Sequence, residues 1–266
     1  MKFKYKHKVF DMEGVSQEDH IYRNIIKHRS FYEIDLLQYM HLINNHRKKK
    51  NTIAIDVGAN IGNHSIFFQS FLTDYVISVE PNPNVLPILE KNLNQNISNY
   101  AIYGSALGET EGVGNIVLPD VGTNNMGMTK IKIYPDSKDS TIRIITLDSM
   151  VDDWRQKHNI GDKVSIAIIK IDVEGMELAV LKGAKNTIKT NKPDLYIEAA
   201  TVEKFEELNN FLGSLGYKML SRWAATPVYH FSYNPSKSLL FAVCLARIYR
   251  VIRKYYCYRK LWFKLM

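Results

Sequence analysis

Cysteine is nearly absent. The 266 residues hold only Cys244 and Cys257, both near the end of the sequence. That pair provides neither a disulfide framework nor a zinc-ligand spacing, and it fits a reducing, cytosolic setting. Long apolar runs are missing too. No stretch of about 18 uncharged apolar residues occurs, so no membrane-spanning segment is expected. Residues 1–10 are rich in lysine but lack the apolar core of a secretion signal. Acidic residues are missing from one region only. After Glu207 there is no Asp or Glu, whereas ten Lys and Arg follow, from Lys218 to Lys264. The first 207 residues carry 25 basic and 27 acidic side chains, so the net charge of +8 resides in the C-terminal region. There is no internal repeat and no low-complexity segment. The 45% hydrophobic and 23% charged residues that make up the rest describe a globular chain of one or two domains.

The stretch 52–82 organises the rest. Residues 53–57 are short, apolar and β-branched, as a strand buried on both faces should be. Gly58 and Gly62 follow, where a backbone must turn tightly and admit a ligand without a Cβ in the way. Residues 63–71 have the length and apolar content of a helix. A second strand, 75–79, delivers Glu80, Pro81 and Asn82, with Glu80 lying 22 residues after Gly58. Strand, glycine loop, helix, strand and acid at this separation form the unit that holds an adenosine ribose. A dinucleotide fingerprint would read G-x-G-x-x-G, whereas this loop reads G-x-x-x-G with Asp56 two residues before it. A carboxylate there suits an ammonium and a sulfonium better than a pyrophosphate. S-adenosylmethionine is the expected cofactor, its ribose on Glu80 and its methionine tail over Gly58, Ala59, Asn60, Gly62 and Asn63. The competing reading is a cofactor-free α/β domain whose glycines serve only the turn.

The remaining pattern extends this unit. Residues 2–9 alternate lysine with Phe3, Tyr5 and His7 and predict a hairpin arm, its lysines discouraging edge pairing. Residues 21–46 read as helical with a break at Phe31-Tyr32-Glu33, and 47–50 as a basic turn. This lead-in is expected to pack as a cap across the nucleotide domain, part of it over the ligand. Residues 84–95 predict a helix with Val85, Leu86, Leu89 and Leu93 on one face. A third strand is expected over 101–107, with Ser105 and Ala106 beside the adenine, where small residues leave room for the ring. Residues 112–118 suggest a β-arm, 122–130 a polar loop, 142–146 a short strand and 147–158 a helix. Residues 164–173 form the second strong signal, a largely apolar strand running into Glu174-Gly175-Met176-Glu177. A helix over 176–189, a strand over 195–199 carrying Glu198, a helix over 203–215 and an antiparallel pair at 217–221 and 228–233 complete the series. Alternating strands and helices over 52–233 predict a parallel sheet with helices on both faces, a Rossmann-like α/β fold.

Open α/β sheets place their chemistry outside the carboxyl ends of the strands. Lys170, Asp172, Glu174 and Glu198 should therefore gather there. Methyl transfer from a sulfonium is an in-line displacement, so the protein mainly positions acceptor and methyl group. A hydroxyl acceptor also needs a base or a metal to help remove its proton. Each residue has a plainer reading. Lys170 and Asp172 can simply pair with each other, while Glu174 and Glu177 can serve the first turn of the following helix. His64, beside the expected methionine tail, is read as structural.

The segments 56–62, Glu80-Pro81, 145–149, 169–177 and 180–184, with Tyr32-Glu33 upstream, resemble the FkbM family of S-adenosylmethionine-dependent methyltransferases. The likeness covers about 52–200. It implies a seven-stranded sheet with a reversed last strand and O-methylation, commonly of a sugar or polyketide hydroxyl. It also implies that the glycine loop, Glu80 and the Ser105 region touch the cofactor and that Lys170, Asp172 and Glu174 line the active side. The acceptor is left open. A divalent metal is permitted by the carboxylates but not demanded. The leading expectation is O-methylation of a saccharide or glycoconjugate; the alternatives are a small secondary metabolite and a non-catalytic binding protein that keeps the fold.

From Leu239 the sequence predicts an amphipathic helix. Phe241, Leu245, Ile248, Ile252 and Tyr256 fall on one side and Arg247, Arg250 and Lys254 on the other, with Trp262 and Phe263 near the end. One reading docks this helix on the body or on a second subunit. Another lays residues 237–266 on an anionic membrane. Nucleic acid fits the charge less well, because the Asn/Asp-Pro-Pro-Tyr type of segment is absent. The expected organisation is thus a cap over 1–50, a methyltransferase domain over 51–235 and a basic helix over 236–266.

Overall fold

The computed structural model describes residues 1–47, 51–117, 130–133, 142–159 and 164–265, and no side chain after Ile252. The basic turn expected at 47–50 and the polar loop at 122–130 lie largely outside the described residues. So do the side chains of Arg253, Lys254, Tyr256, Trp262 and Phe263.

The chain opens with a hairpin, β1 (Lys2–Tyr5) and β2 (Lys8–Asp11), then α1 (His20–His28) and α2 (Ile34–Arg47). Strands and helices then alternate through β3 (Thr52–Val57), α3 (Asn63–Phe71), β4 (Tyr75–Val79), α4 (Leu86–Asn96) and β5 (Tyr100–Tyr103). A four-stranded excursion follows: β6 (Ala106–Leu107), β7 (Gly112–Val117), β8 (Lys130–Ile133) and β9 (Ile142–Ile145). The chain returns through α5 (Leu147–Lys157), β10 (Ser165–Ile171), α6 (Glu177–Lys182), α7 (Lys185–Asn191) and β11 (Asp194–Glu198). It closes with α8 (Val202–Ser214), β12 (Tyr217–Trp223), β13 (Val228–Tyr233) and α9 (Lys237–Leu265).

The main sheet has seven strands in the order β12-β13-β11-β10-β3-β4-β5. From β11 to β5 the neighbours are parallel, and β13 runs against both of its neighbours. The α/β architecture expected from the alternation, including the reversed last strand, is the one observed. Burial explains the apolar strands. Along β3, Ile53, Ile55 and Val57 join one core while Ala54 joins the core on the opposite face. The two-residue period feeds both faces, so no position on β3 tolerates a solvated side chain.

The N-terminal segment shares a core with the sheet. Phe3, Phe10 and Phe31 pack edge-on or stacked with one another, and Phe31 meets Phe67 of α3 at 5.3 Å between ring centres. Two asparagines of α4 anchor its backbone. Asn92 Nδ2 donates to Glu13 O at 2.8 Å while its Oδ1 accepts from Glu13 N, and Asn96 does the same for Asp11.

Two expectations about elements require correction. The strand expected over 101–107 is two pieces. β5 ends at Tyr103, and Ala106 pairs instead with Ile144 of β9 in the second sheet. The helix expected over 176–189 breaks at Gly183, where a Cβ would stand 2.0 Å from the Gly108 carbonyl oxygen. There the Gly183 carbonyl accepts from Asp148 N, and the Asp148 carboxylate accepts from Asn186 N and Thr187 N at the start of α7. Contact between non-adjacent segments thus stops the helix. The helix α9 packs on the body. Its buried residues are Leu239 and Val243, while Arg247 donates to Leu220 O and Arg250 donates to Arg222 O at 3.1 Å. Arg250 also covers the Trp223 ring at 4.5 Å. The arginine side faces the body and the stripe of Phe241, Leu245, Ile248 and Ile252 faces solvent. The physical cause is the edge strand β12, whose carbonyls take the guanidinium donors.

Candidate functional site

A cleft of about 190 Å³ opens where the carboxyl ends of β3, β4, β10 and β11 meet the N-terminal segment. The glycine loop forms its floor. Gly58 adopts φ +81°, and a Cβ there would lie 1.9 Å from the Asp172 carbonyl oxygen. Glycine is therefore required so that the ends of β3 and β10 can close on each other. Gly58 N and Ala59 N both donate to Val79 O, which joins the loop to β4. Asn60 has φ +48° and Gly62 φ +88°, and Gly62 precedes α3 without a side-chain cap.

Glu80 follows β4 and is almost fully buried. Its Oε2 accepts from Asn60 N and its Oε1 from Asn82 N, both at 2.9 Å. Burial pushes its pKa up to about 7, against the pull of the two N–H groups. The Asn82 side chain is buried with its Nδ2 unpaired.

Opposite stands a charged cluster. Parallel pairing of β10 with β11 aligns Ile171 with Ile197, so Asp172 and Glu198 emerge side by side. Lys170 is fully buried, yet lines the cleft, and its Nζ donates to Asp172 Oδ2 at 3.0 Å and stands 4.0 Å from Asp56 Oδ1. Burial alone would lower its pKa, but Asp172, Asp56 and Glu33 outweigh it and hold the ammonium charged. Asp172 is likewise opposed by burial but kept low by Lys170 and by a hydrogen bond with Glu198. Burial, and then Asp172, raise Glu198 to about 9, so Glu198 keeps a proton at neutral pH. Glu174 lines the same cleft in a left-handed conformation, φ +52°. Non-glycine residues held there signal a locally over-determined backbone.

The expected site residues separate into groups. Gly58, Ala59, Asn60, Asn63, Glu80, Pro81, Lys170, Asp172, Glu174 and Glu198 all line the one cleft. Asp56 lies beneath it, its Oδ2 accepting from Ser65 Oγ at 2.6 Å. Gly62 and Asn82 sit behind the lining. Ser105 borders a different hollow of about 600 Å³ with Tyr103, Arg143 and Trp154, and Ala106 is buried in the second sheet's core. Glu177 accepts from Gly175 N at 2.8 Å and serves the turn, as its plainer reading held. Among the described residues, no group of three or more His, Cys, Asp or Glu could hold a metal ion.

Some lining residues were missed by sequence reasoning. Tyr32, His20 and Ile21 reach the cleft from the N-terminal segment, and Thr226 comes from the β12–β13 turn. Asn63 positions the first of these: its Oδ1 accepts from Tyr32 N at 2.9 Å and its Nδ2 donates to Tyr32 O at 3.2 Å. Glu33, at φ +53°, then stands 3.3 Å from His64 Nε2. The sequence signals were the helix break at 31–33 and the place of Tyr32-Glu33 in the family resemblance. Thr226 had none.

The donor set fits an adenosine-bearing sulfonium. A buried acid preorganised by two N–H groups, an unpaired buried amide beside it and a glycine floor match a ribose and an amino-acid tail.

Residues 56–219 match the family described as the methyltransferase FkbM domain. Among solved structures, methyltransferase FkbM from Methylobacillus flagellatus KT is 21% identical with a TM-score of 0.46, over 73% of this chain and 48% of that one. The chain thus spans about half the length of that protein. An rRNA methylase from Streptococcus thermophilus is 12% identical with a TM-score of 0.42, over 72% of this chain and 90% of that one. TrmK from M. capricolum, in complex with S-adenosyl-homocysteine, is 12% identical with a TM-score of 0.40, over 76% and 72% of the two chains. No curated protein matches the chain significantly.

Proposed function

The chain belongs to the FkbM methyltransferase domain family, and from that premise we propose an S-adenosylmethionine-dependent O-methyltransferase acting on a hydroxyl of a saccharide or glycoconjugate. One observation carries this reading: a single cleft whose two walls are chemically different. One wall has the glycine floor and Glu80; the other has Lys170, Asp172, Glu174 and Glu198.

The bound cofactor supplies a methyl group activated by its sulfonium. Glu80 accepts from the ribose hydroxyls, and the loop 58–63 lets the methionine tail approach the backbone closely. On the facing wall, Asp172, kept ionised beside Lys170, would take the proton that the acceptor hydroxyl loses on methylation. Lys170, held charged, compensates the negative charge that forms in this partly dry site. Glu198, holding its own proton, donates a hydrogen bond and positions the acceptor or Asp172.

A polyhydroxylated acceptor suits this wall. Tyr32, Glu198 and Thr226 offer polar groups to it among the residues that line the cleft. A small secondary-metabolite hydroxyl is the second reading, favoured by Ile21 and Val173 on the same wall.

Calorimetry with S-adenosylmethionine, followed by transfer of a labelled methyl group to a panel of glycans and aglycones, tests the proposal. Binding without methylation of any hydroxyl rejects the O-methyltransferase reading. Absence of binding rejects the cofactor. Methylation of aglycones alone supports the second reading.

A further inference from the structure

The C-terminal helix α9 lies on the body with its apolar stripe turned outward. Leu240, Phe241, Leu245, Ile248, Tyr249, Val251 and Ile252 are all 46–68% exposed. Monomeric proteins seldom leave so dense a cluster of large apolar side chains in water. From residue 241 to 252 this stripe runs about 17 Å along one helix.

The helix is not free to roll these residues inward. Leu239 and Val243 are buried on the opposite side, Arg247 and Arg250 hold the Leu220 and Arg222 carbonyls, and His46 of α2 meets Ser238 at 3.3 Å. The rotation is therefore set by the body, with the apolar stripe presented outward.

The charge around the stripe selects what covers it. Arg247 and Arg250 face β12, where their partners are neutral carbonyls and not carboxylates. Residues 208–266 contain ten Lys and Arg and no acid. A second copy meeting the same face would bring the same positive field against itself. An anionic lipid surface provides both complements, a negative field for the net positive charge of residues 208–266 and an acyl boundary for the stripe. We infer that α9 seats the protein on the surface of an anionic bilayer through Phe241, Leu245, Ile248 and Ile252. This is peripheral seating. Among the described residues no helix is long and apolar enough to cross a membrane. The inference is independent of the acceptor.

Co-sedimentation of the full chain with phosphatidylcholine vesicles, with and without phosphatidylglycerol, tests it. The chain should pellet with the anionic vesicles and stay in solution with the neutral ones. Adding salt should weaken the binding without abolishing it, because the apolar contribution is not screened. Phe241→Asp with Ile248→Asp should reduce anionic binding at least about tenfold. Both positions are solvent-exposed, so the variant should keep its melting temperature and its affinity for S-adenosylmethionine. Failure of the wild-type chain to pellet at low salt overturns the inference, as does equal pelleting of the variant. A dimer that the double substitution dissociates, or retention on RNA in place of vesicles, overturns it in favour of a second copy or of nucleic acid.

Discussion

Glu198 keeps a proton that Asp172, on the neighbouring strand, does not. Both side chains leave the sheet at the same level because β10 and β11 pair in parallel, Ile171 opposite Ile197. Lys170 breaks the symmetry, since its ammonium touches Asp172. Two adjacent carboxyl groups in unlike surroundings divide acid and base roles between them.

The pH dependence of stability should report this pair. Glu198 ionises at about 9 in the folded protein, above its ordinary value, so the folded state binds the proton more tightly than the unfolded state. Its contribution to stability is complete below the unfolded value and is lost as pH rises towards about 9. Glu198→Gln should flatten that decline and stabilise the protein at pH 8 by on the order of 1–2 kcal/mol, discounted for the part of the side chain open to water. Urea denaturation between pH 5 and 9 measures it. Parallel curves for both proteins would show that Glu198 is not the titrating group.

Lys170→Met should be strongly destabilising. It leaves the Asp56 and Asp172 carboxylates beside an apolar chain, and breaking a buried pair from one side costs about 3–5 kcal/mol. The same denaturation experiment at pH 7 reads it. A loss below about 1 kcal/mol would mean that water reaches these carboxylates.

Cofactor affinity should rise with pH around neutrality. Glu80 titrates at about 7, and its ionised form is the better acceptor for ribose hydroxyls. Calorimetry should show affinity gaining up to about tenfold from pH 6 to pH 8. Glu80→Gln should remove this dependence, and Glu80→Ala should weaken binding by about 1–3 kcal/mol. A wild-type affinity that does not change with pH would remove Glu80 from the ribose site.

Gly58→Ala should damage folding before it affects binding. The new methyl would overlap the Asp172 carbonyl oxygen, at a φ that alanine rarely adopts. The conformational strain alone is about 1–2 kcal/mol, and the overlap adds to it. A melting temperature within a degree or so of wild type, roughly the scatter expected of a neutral substitution, would show that β3 and β10 can separate.

Much of this site was legible in local pattern. The strand 53–57, the glycine loop, Glu80 after β4 and the polar cluster after β10 are each consequences of a short segment. The fold's cleft collects the ends of such segments. Ser105 shows where local reading stops. Its strand continues in sequence, but Gly104 interrupts it and Ala106 leaves for the second sheet. Tyr32 and Glu33 were visible as a break between helices and as part of the family resemblance, neither of which places them at the cleft; Asn63 carries Tyr32 there from 31 residues away.

By itself the sequence determined the buried strands, the turns that need glycine and the face each isolated helix would bury, because these depend on neighbours within a few residues. Tertiary structure decided the rest. It ended α6 where Gly183 meets the Gly108 backbone, and it turned the arginines of α9 towards the open carbonyls of β12. In both places a polar backbone group from a distant segment competes with the local pattern and prevails, because a hydrogen-bonding group left unmet near the core costs more than an apolar side chain left in water.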